Sequence, residues 1–179
     1  MRDDLSLVEH LSSVIRRPGL IARLRLRRRD RVSAGLASTH AALGVLREAS
    51  LLVELTWARA GSCTACSRDR VGHGGATGSG LCLVGALGVA TDGDPALRAR
   101  VVDLVWLQLH SGQPRRTANW NSRAAREALQ VRDLRAWNDG PAHDAGQVAA
   151  LLRATLRSTR STFGRARAAA DLAGPPDSV

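Results

Sequence analysis

The sequence predicts a mainly α-helical protein, a single small helical domain of about five to six helices. Leucine, valine and alanine dominate its apolar residues, and leucine and alanine are strong helix formers. The aromatic residues typical of strands are scarce, because the chain has four Trp, one Phe and no Tyr. Several stretches also repeat apolar residues every three or four positions, which is the spacing of one helix face. With 179 residues, the chain is long enough for one hydrophobic core and leaves little for a second.

The N-terminal third contains a strong break at Pro18-Gly19, which ends a short predicted helix. Residues 20–31 then interleave leucine and isoleucine with arginine, a pattern that fits a helix, a strand or a disordered arm. After it, helical spacing predicts a helix over residues 40–55, with Ser38 or Thr39 as its N-cap.

The middle of the chain contains a glycine-rich stretch followed by an apolar run. Residues 59–80 include six glycines and predict a loop, with a short β-hairpin as the alternative. Residues 81–87 are apolar on all sides, which predicts a buried helix or strand. An Asp-Gly-Asp-Pro turn over residues 92–95 then supplies an N-cap and an N1 proline for a helix over 96–110.

The last third predicts two short helices and one longer helix. The short helices cover residues 121–130 and 131–137, and the Asn-Asp-Gly-Pro sequence at 138–141 predicts a turn. Asp144, with a glutamine three residues later, forms a capping box that opens the last helix. Fraying is predicted from Thr162 onward.

The sequence predicts a basic N-terminal extension over residues 1–35, a helical domain over 36–160 and a frayed or disordered tail over 161–179. Residues 16–31 contain eight arginines and one acid, a local charge of +7 within a net charge of +10. Residues 153–170 contain five arginines and no acid, a local charge of +5.

Several function classes are excluded or disfavoured by composition. All 26 basic residues are arginine, so Walker A, Schiff-base and Ser–Lys chemistry are absent. No apolar run approaches the ~18–20 residues of a transmembrane helix, and the acidic start is unlike a signal peptide. An odd number of cysteines argues against a disulfide framework. We therefore expect a cytoplasmic protein.

The arginine-rich segment over residues 16–31 is a candidate for binding nucleic acid or another polyanion, because clustered guanidinium groups suit phosphate. It contains no aromatic residue for stacking on bases, which disfavours single-strand recognition. Its interleaved leucines also fit a membrane surface or a protein partner, and a solvated arm is a further alternative. The candidate residues are Arg16, Arg17, Arg23, Arg25, Arg27, Arg28, Arg29 and Arg31.

The cysteines provide a candidate zinc site made of Cys63, Cys66, His73 and Cys82. The first pair has the spacing of a zinc knuckle, whereas eight residues separate His73 from Cys82 and leave the second pair atypical. Unligated thiols, and hence no cofactor, are the favoured alternative.

Cys82 is also a candidate nucleophile, with His110 or His143 and Asn138 completing a papain-like set. The alternative is a small buried hydrophobic residue, which is the commoner role of a cysteine among leucine and valine. The residues of the motif at 137–139 are predicted to stabilise the fold rather than to take part in catalysis. We expect Asn138 to occupy the left-handed C-cap position and Trp137 to pack on the following helix.

Three motifs occur in a fixed order: C-x-x-G-A-L at 82–87, W-N-D-x-P at 137–141 and V-x-x-L-L at 148–152. In this order the chain resembles an uncharacterised small domain family of actinobacteria and their phages, over about residues 36–157. The family usually has threonine at the cap where this chain has Asp144, and the two are physically equivalent as caps. The resemblance implies a fold and no activity.

Taken together, these observations favour a non-enzymatic binding or accessory protein that contacts nucleic acid, or an assembly containing it, through residues 16–31. One alternative is a cysteine- or zinc-dependent enzyme. The other is a structural subunit of a phage-like or cellular assembly.

Overall fold

The computed structural model describes residues 20–59, 63, 80–112, 122–141 and 143–172, with backbone alone for 20–26, 28 and 29. Over these residues the chain forms five α-helices and no strand, so the prediction of a mainly α-helical protein is confirmed. The helices are α1 (Leu20–Thr56), α2 (Leu83–Ala90), α3 (Pro95–Leu109), α4 (Arg123–Asn138) and α5 (Ala145–Leu172).

Helix α1 is longer than the sequence predicted. Residues 20–31, for which a strand and a disordered arm were alternatives, are helical. The helix continues through Ser38 and Thr39, so the predicted start at these residues is wrong. A serine or threonine begins a helix only where the preceding backbone leaves the helical region, and no proline separates these residues from Leu20. Contacts group the chain into two units, Met1–Gly35 and Leu36–Val179, and the core described below belongs to the second.

The turn between α2 and α3 forms where the sequence predicted it. Asp92 and Gly93 have positive φ angles of 45° and 77°, as expected for an Asp-Gly turn. Asp94 is the N-cap of α3, and its Oδ1 accepts hydrogen bonds from the backbone N–H groups of Ala96 and Leu97 at 2.8 and 2.9 Å. Pro95 occupies the first turn, where a missing N–H costs nothing.

Helices α4 and α5 both differ from their predicted lengths. The two short helices predicted over 121–130 and 131–137 form the single helix α4, capped by Ser122, because no breaker separates them. Asp144 caps α5 as predicted, accepting from the backbone N–H of Gln147 at 2.9 Å. Helix α5 then continues to Leu172, past the predicted fraying at Thr162, because its alanines and arginines favour helix more than Gly164 opposes it.

The hydrophobic core surrounds α2, the run that the sequence predicted to be buried. Helix α2 packs against α3 and α4, and α3 also packs against α5. Five consecutive α2 residues, from Leu83 to Leu87, are buried, so this helix has no face in water along that stretch. None of the described helices has an apolar stretch long enough to cross a bilayer.

Two isolated β-bridges lie at the ends of the glycine-rich stretch, one just outside it and one within it. Trp57 pairs with Leu81 and Cys63 pairs with Gly80, both in parallel orientation. A hairpin pairs its strands antiparallel. Residues 60–62 and 64–79, where the alternative hairpin would form, lie outside the described residues.

Candidate functional site

A buried asparagine connects the motifs of the sequence. Asn138 is the last residue of α4 and has no solvent exposure. Its Oδ1 accepts one hydrogen bond from the Trp57 indole Nε1 at 3.1 Å and another from the Leu83 backbone N–H at 3.0 Å. A single carboxamide oxygen thus joins the end of α4 to the segment after α1 and to the first residue of α2.

The amide nitrogen of Asn138 completes the arrangement. Its Nδ2 donates to the Ala58 carbonyl at 3.3 Å and to Asp139 Oδ1 at 3.0 Å. The Leu83 backbone N–H and the Trp57 indole N–H can only donate, which fixes the orientation of the carboxamide. All four hydrogen-bonding positions of the side chain are therefore used. We call Asn138 and these four partners the Asn138 centre.

The predicted left-handed conformation of Asn138 is wrong, because this residue is helical and the C-cap is Asp139, with a φ angle of −88°. Its neighbour Trp137 packs on the His143 ring in a tilted arrangement, with the ring centroids 4.2 Å apart. Asparagine is used here for its two-sided hydrogen bonding and not for backbone freedom.

The two chain segments at the Asn138 centre are also paired to each other. Ala58 N–H donates to the Leu81 carbonyl at 3.0 Å, and Leu81 N–H donates to the Thr56 carbonyl at 2.6 Å. Outside this pair, Arg59 Nη1 donates to the Asp139 carbonyl at 2.7 Å. The segment that follows α1 is thus hydrogen-bonded to Leu81 through its backbone and to Asp139 through the Arg59 side chain.

Cys82 is the N-cap of α2 and is fully buried. Its Sγ accepts from the Gly85 backbone N–H at 3.3 Å, which satisfies one of the donors left open at a helix start. The cysteine of the C-x-x-G-A-L motif therefore has a defined structural contact. Its proposed use as a nucleophile stays a prediction.

We expect Cys82→Ala to lower the free energy of unfolding by about 1 kcal/mol, the usual cost of losing an N-cap acceptor. Cys82→Ser keeps an acceptor atom at the same position and is expected to retain more of the stability. Urea denaturation of both variants measures the difference. Equal losses in the two variants would contradict the capping role.

The histidines proposed as partners of Cys82 both pack on tryptophan rings. The ring centroids of His110 and Trp106 are 4.4 Å apart, and His110 Nδ1 lies 2.9 Å from the Trp106 carbonyl oxygen. His143 packs on Trp137 as described above. The hydrogen-bonding atoms of Asn138, the third proposed member, are occupied by the Asn138 centre.

The interface between α3 and α4 contains polar residues that the sequence did not single out. Asp103 Oδ1 accepts from Gln130 Nε2 at 2.7 Å and pairs with Arg126, while Asp133 Oδ2 accepts from Trp106 Nε1 at 3.2 Å. Gln130 is only 2% exposed. The spacing of residues 126, 130 and 133 was an available signal, because it places all three on one helix face.

Comparison with known proteins places most of this architecture in one family. The profile of a family of unknown function, DUF6197, matches residues 37–158. The chain belongs to the DUF6197 family. No curated protein and no solved structure matched the chain. The Asn138 centre lies entirely within the DUF6197 match, which supports the resemblance to an uncharacterised small domain family.

The four proposed zinc ligands of this DUF6197 protein are only partly described. Cys63 and Cys82 are both fully buried, whereas Cys66 and His73 lie outside the described residues. Within the described part of the chain, no three or more His, Cys, Asp or Glu side chains are grouped to hold a metal ion. The zinc hypothesis stays a prediction.

The arginine-rich segment precedes the DUF6197 match. Six of its eight arginines lie on the helical backbone of α1, at positions 23, 25, 27, 28, 29 and 31, and the other two lie outside the described residues. Among those with described side chains, Arg27 and Arg31 are exposed, as is the acidic residue Asp30.

Proposed function

We propose that this DUF6197 protein is a non-enzymatic accessory protein that binds nucleic acid through the arginines of residues 16–31. The observation that carries the proposal is the helical backbone through residues 20–31, with Arg27 and Arg31 exposed. A helix holds cationic groups at fixed intervals, so fewer conformations are lost when they meet an array of phosphates.

The distribution of residues along this helix favours nucleic acid over a membrane surface. Arg23, Arg27 and Arg31 recur at intervals of four residues, which is close to one helical turn. Leu20 and Leu24 occupy the same stripe of register positions, so apolar and basic residues are not separated on opposite faces. Interfacial helices depend on that separation.

The segment is suited to phosphates rather than bases. It has no aromatic residue and no asparagine or glutamine between residues 16 and 31, the types that stack on bases or read adenine. We therefore propose duplex binding through the phosphate backbone, with strong dependence on salt and little dependence on sequence.

A salt titration of the full chain with duplex DNA tests this function. Each phosphate contact contributes about −0.9 to the slope of log K against log salt concentration. When Arg23, Arg27 and Arg31 each contact one phosphate, the triple variant Arg23→Gln, Arg27→Gln, Arg31→Gln is expected to lower the magnitude of that slope by about 2.7. Glutamine preserves helix propensity, so the comparison isolates charge.

The matched control neutralises three exposed arginines elsewhere, Arg157→Gln, Arg160→Gln and Arg165→Gln on α5. It removes the same charge and is expected to change the slope much less. Absence of binding at low salt, or equal slope changes in the two triple variants, would contradict the proposal.

The finer features of this assignment are also proposals. We infer a cytoplasmic location, where nucleic acid is accessible. An origin in actinobacteria or their phages remains a prediction from the C-x-x-G-A-L and W-N-D-x-P motifs.

A further inference from the structure

A cleft of about 260 Å³ opens between α3 and α5. Its lining combines an arginine, two leucines and several hydroxyl groups. The residues that matter most here are Arg100, Leu104 and Leu107 from α3, Ser158 and Thr159 from α5, and Thr39 from α1. Eight of the ten lining residues carry a polar or charged side chain, so this cleft is more polar than most small-molecule sites.

Arg100 brings a positive charge into this cleft that no acidic side chain of the described residues neutralises. Its Nη2 donates to Thr39 Oγ1 at 2.6 Å, and its Nε is buried without an acceptor. By contrast, Arg126 and Arg153 pair with Asp103 and Glu54. The Nε–H is sealed from solvent and hence from a ligand, but the half-buried guanidinium has four Nη–H donors, of which the structure shows one in use, and an arginine cannot lose its charge.

Thr159 contributes a second unused polar group. The residue is only 7% exposed, yet its hydroxyl forms no hydrogen bond within the described part of the chain and is not sealed from solvent. The neighbouring threonines behave differently, because Thr155 and Thr162 donate to backbone carbonyls four residues earlier. The Thr159 hydroxyl is thus available to a molecule in the cleft.

We propose that this cleft binds a small organic anion. The Arg100 guanidinium holds the anionic group, since its fork of N–H donors fits a carboxylate or a phosphate. The Thr159 hydroxyl makes a second polar contact, and Leu104 and Leu107 contact the apolar part of the ligand. A volume slightly below the ~300–1,000 Å³ of drug-sized sites suits a single ring with one charged group.

Titration of the ¹⁵N-labelled full chain, followed by NMR, tests the site with three probes: benzoate, phenyl phosphate and benzyl alcohol. Both anions are expected to give saturable shifts centred on the amides around Arg100 and Thr159. The tighter of the two identifies the preferred anionic group. Benzyl alcohol keeps the ring without the charge and is expected to bind at least about tenfold more weakly.

Two variants separate the roles of the charge and the hydroxyl. Arg100→Gln is expected to weaken anion binding about tenfold or more, the scale of a charged hydrogen bond. Thr159→Val is expected to weaken it about two- to tenfold while leaving the unfolding midpoint unchanged or raised, because the hydroxyl has no protein partner to lose.

Arg98→Gln is the matched control, because it removes the same charge from the same helix at a residue that does not line the cleft. We expect it to change affinity less than twofold. Absence of saturable shifts with both anions, shifts centred elsewhere, or equal weakening by the two arginine variants would overturn the proposal.

Discussion

Replacing Asn138 with alanine is expected to lower the free energy of unfolding by about 3–4 kcal/mol. The substitution leaves the Leu83 backbone N–H and the Trp57 indole N–H without their acceptor. An unsatisfied buried donor costs about 1–3 kcal/mol, and alanine offers no atom that could replace the lost oxygen. Water cannot readily compensate, because the Asn138 side chain has no exposed surface.

Urea denaturation followed by tryptophan fluorescence measures this loss. Gln108→Ala is the matched control: it also removes a carboxamide from a helix, but at a half-buried position where the side chain forms no hydrogen bond with described residues. We expect the control to change stability by about 0.5 kcal/mol or less. A loss below about 1 kcal/mol for Asn138→Ala would show that the hydrogen bonds of the Asn138 centre contribute little net stability.

Replacing Gly80 with alanine is expected to cost about 2–3 kcal/mol, through crowding rather than lost hydrogen bonding. A Cβ at this position would lie 2.6 Å from both the Thr56 carbonyl oxygen and Ala58 Cβ. The first of these atoms belongs to the backbone and already accepts a hydrogen bond from Leu81. Relief of the clash therefore requires the paired segments to separate.

Gly88→Ala provides a control, because it makes the same chemical change at a position where an added Cβ is not crowded. Gly88 lies within α2, and a Cβ there would have no atom within 4 Å. Alanine is favoured over glycine inside a helix by about 0.5–1 kcal/mol, so this variant is expected to gain stability. Thermal unfolding of both variants gives the comparison, and a Gly80→Ala protein as stable as the parent would contradict the close approach.

Sequence prediction placed the start of α3 correctly and the start of α1 wrongly. The two predicted starts differ in whether a proline marks them. Helix α3 begins at Pro95, within one residue of its predicted start, because Asp94 supplies an N-cap acceptor and Pro95 fixes the φ angle of the first turn. The start assigned to Ser38 or Thr39 rested on cap residues alone, and such residues are also tolerated inside a helix. For the same reason the prediction wrongly split α4 into two helices at residue 131. No glycine or proline interrupts the helix there.

The Asn138 centre was beyond what local pattern could predict. Its two donors to Oδ1 lie 81 and 55 residues away along the chain, so no helical or strand periodicity relates them. The motif letters identified two of the participating segments, since Leu83 and Asn138 belong to two of the three motifs that carried the family resemblance. What they could not give was the direction in which the carboxamide faces.

The Asn138 centre also has a consequence for how this domain tolerates changes in length. The carboxamide hydrogen-bonds to both Ala58 and Leu83, so it fixes the separation of two residues that lie 25 positions apart in the chain. The entropy lost on closing a flexible loop grows only with the logarithm of its length, about 0.6 kcal/mol for each doubling. We therefore expect insertions or deletions between Ala58 and Leu83 that leave the Asn138 centre unchanged to cost little stability.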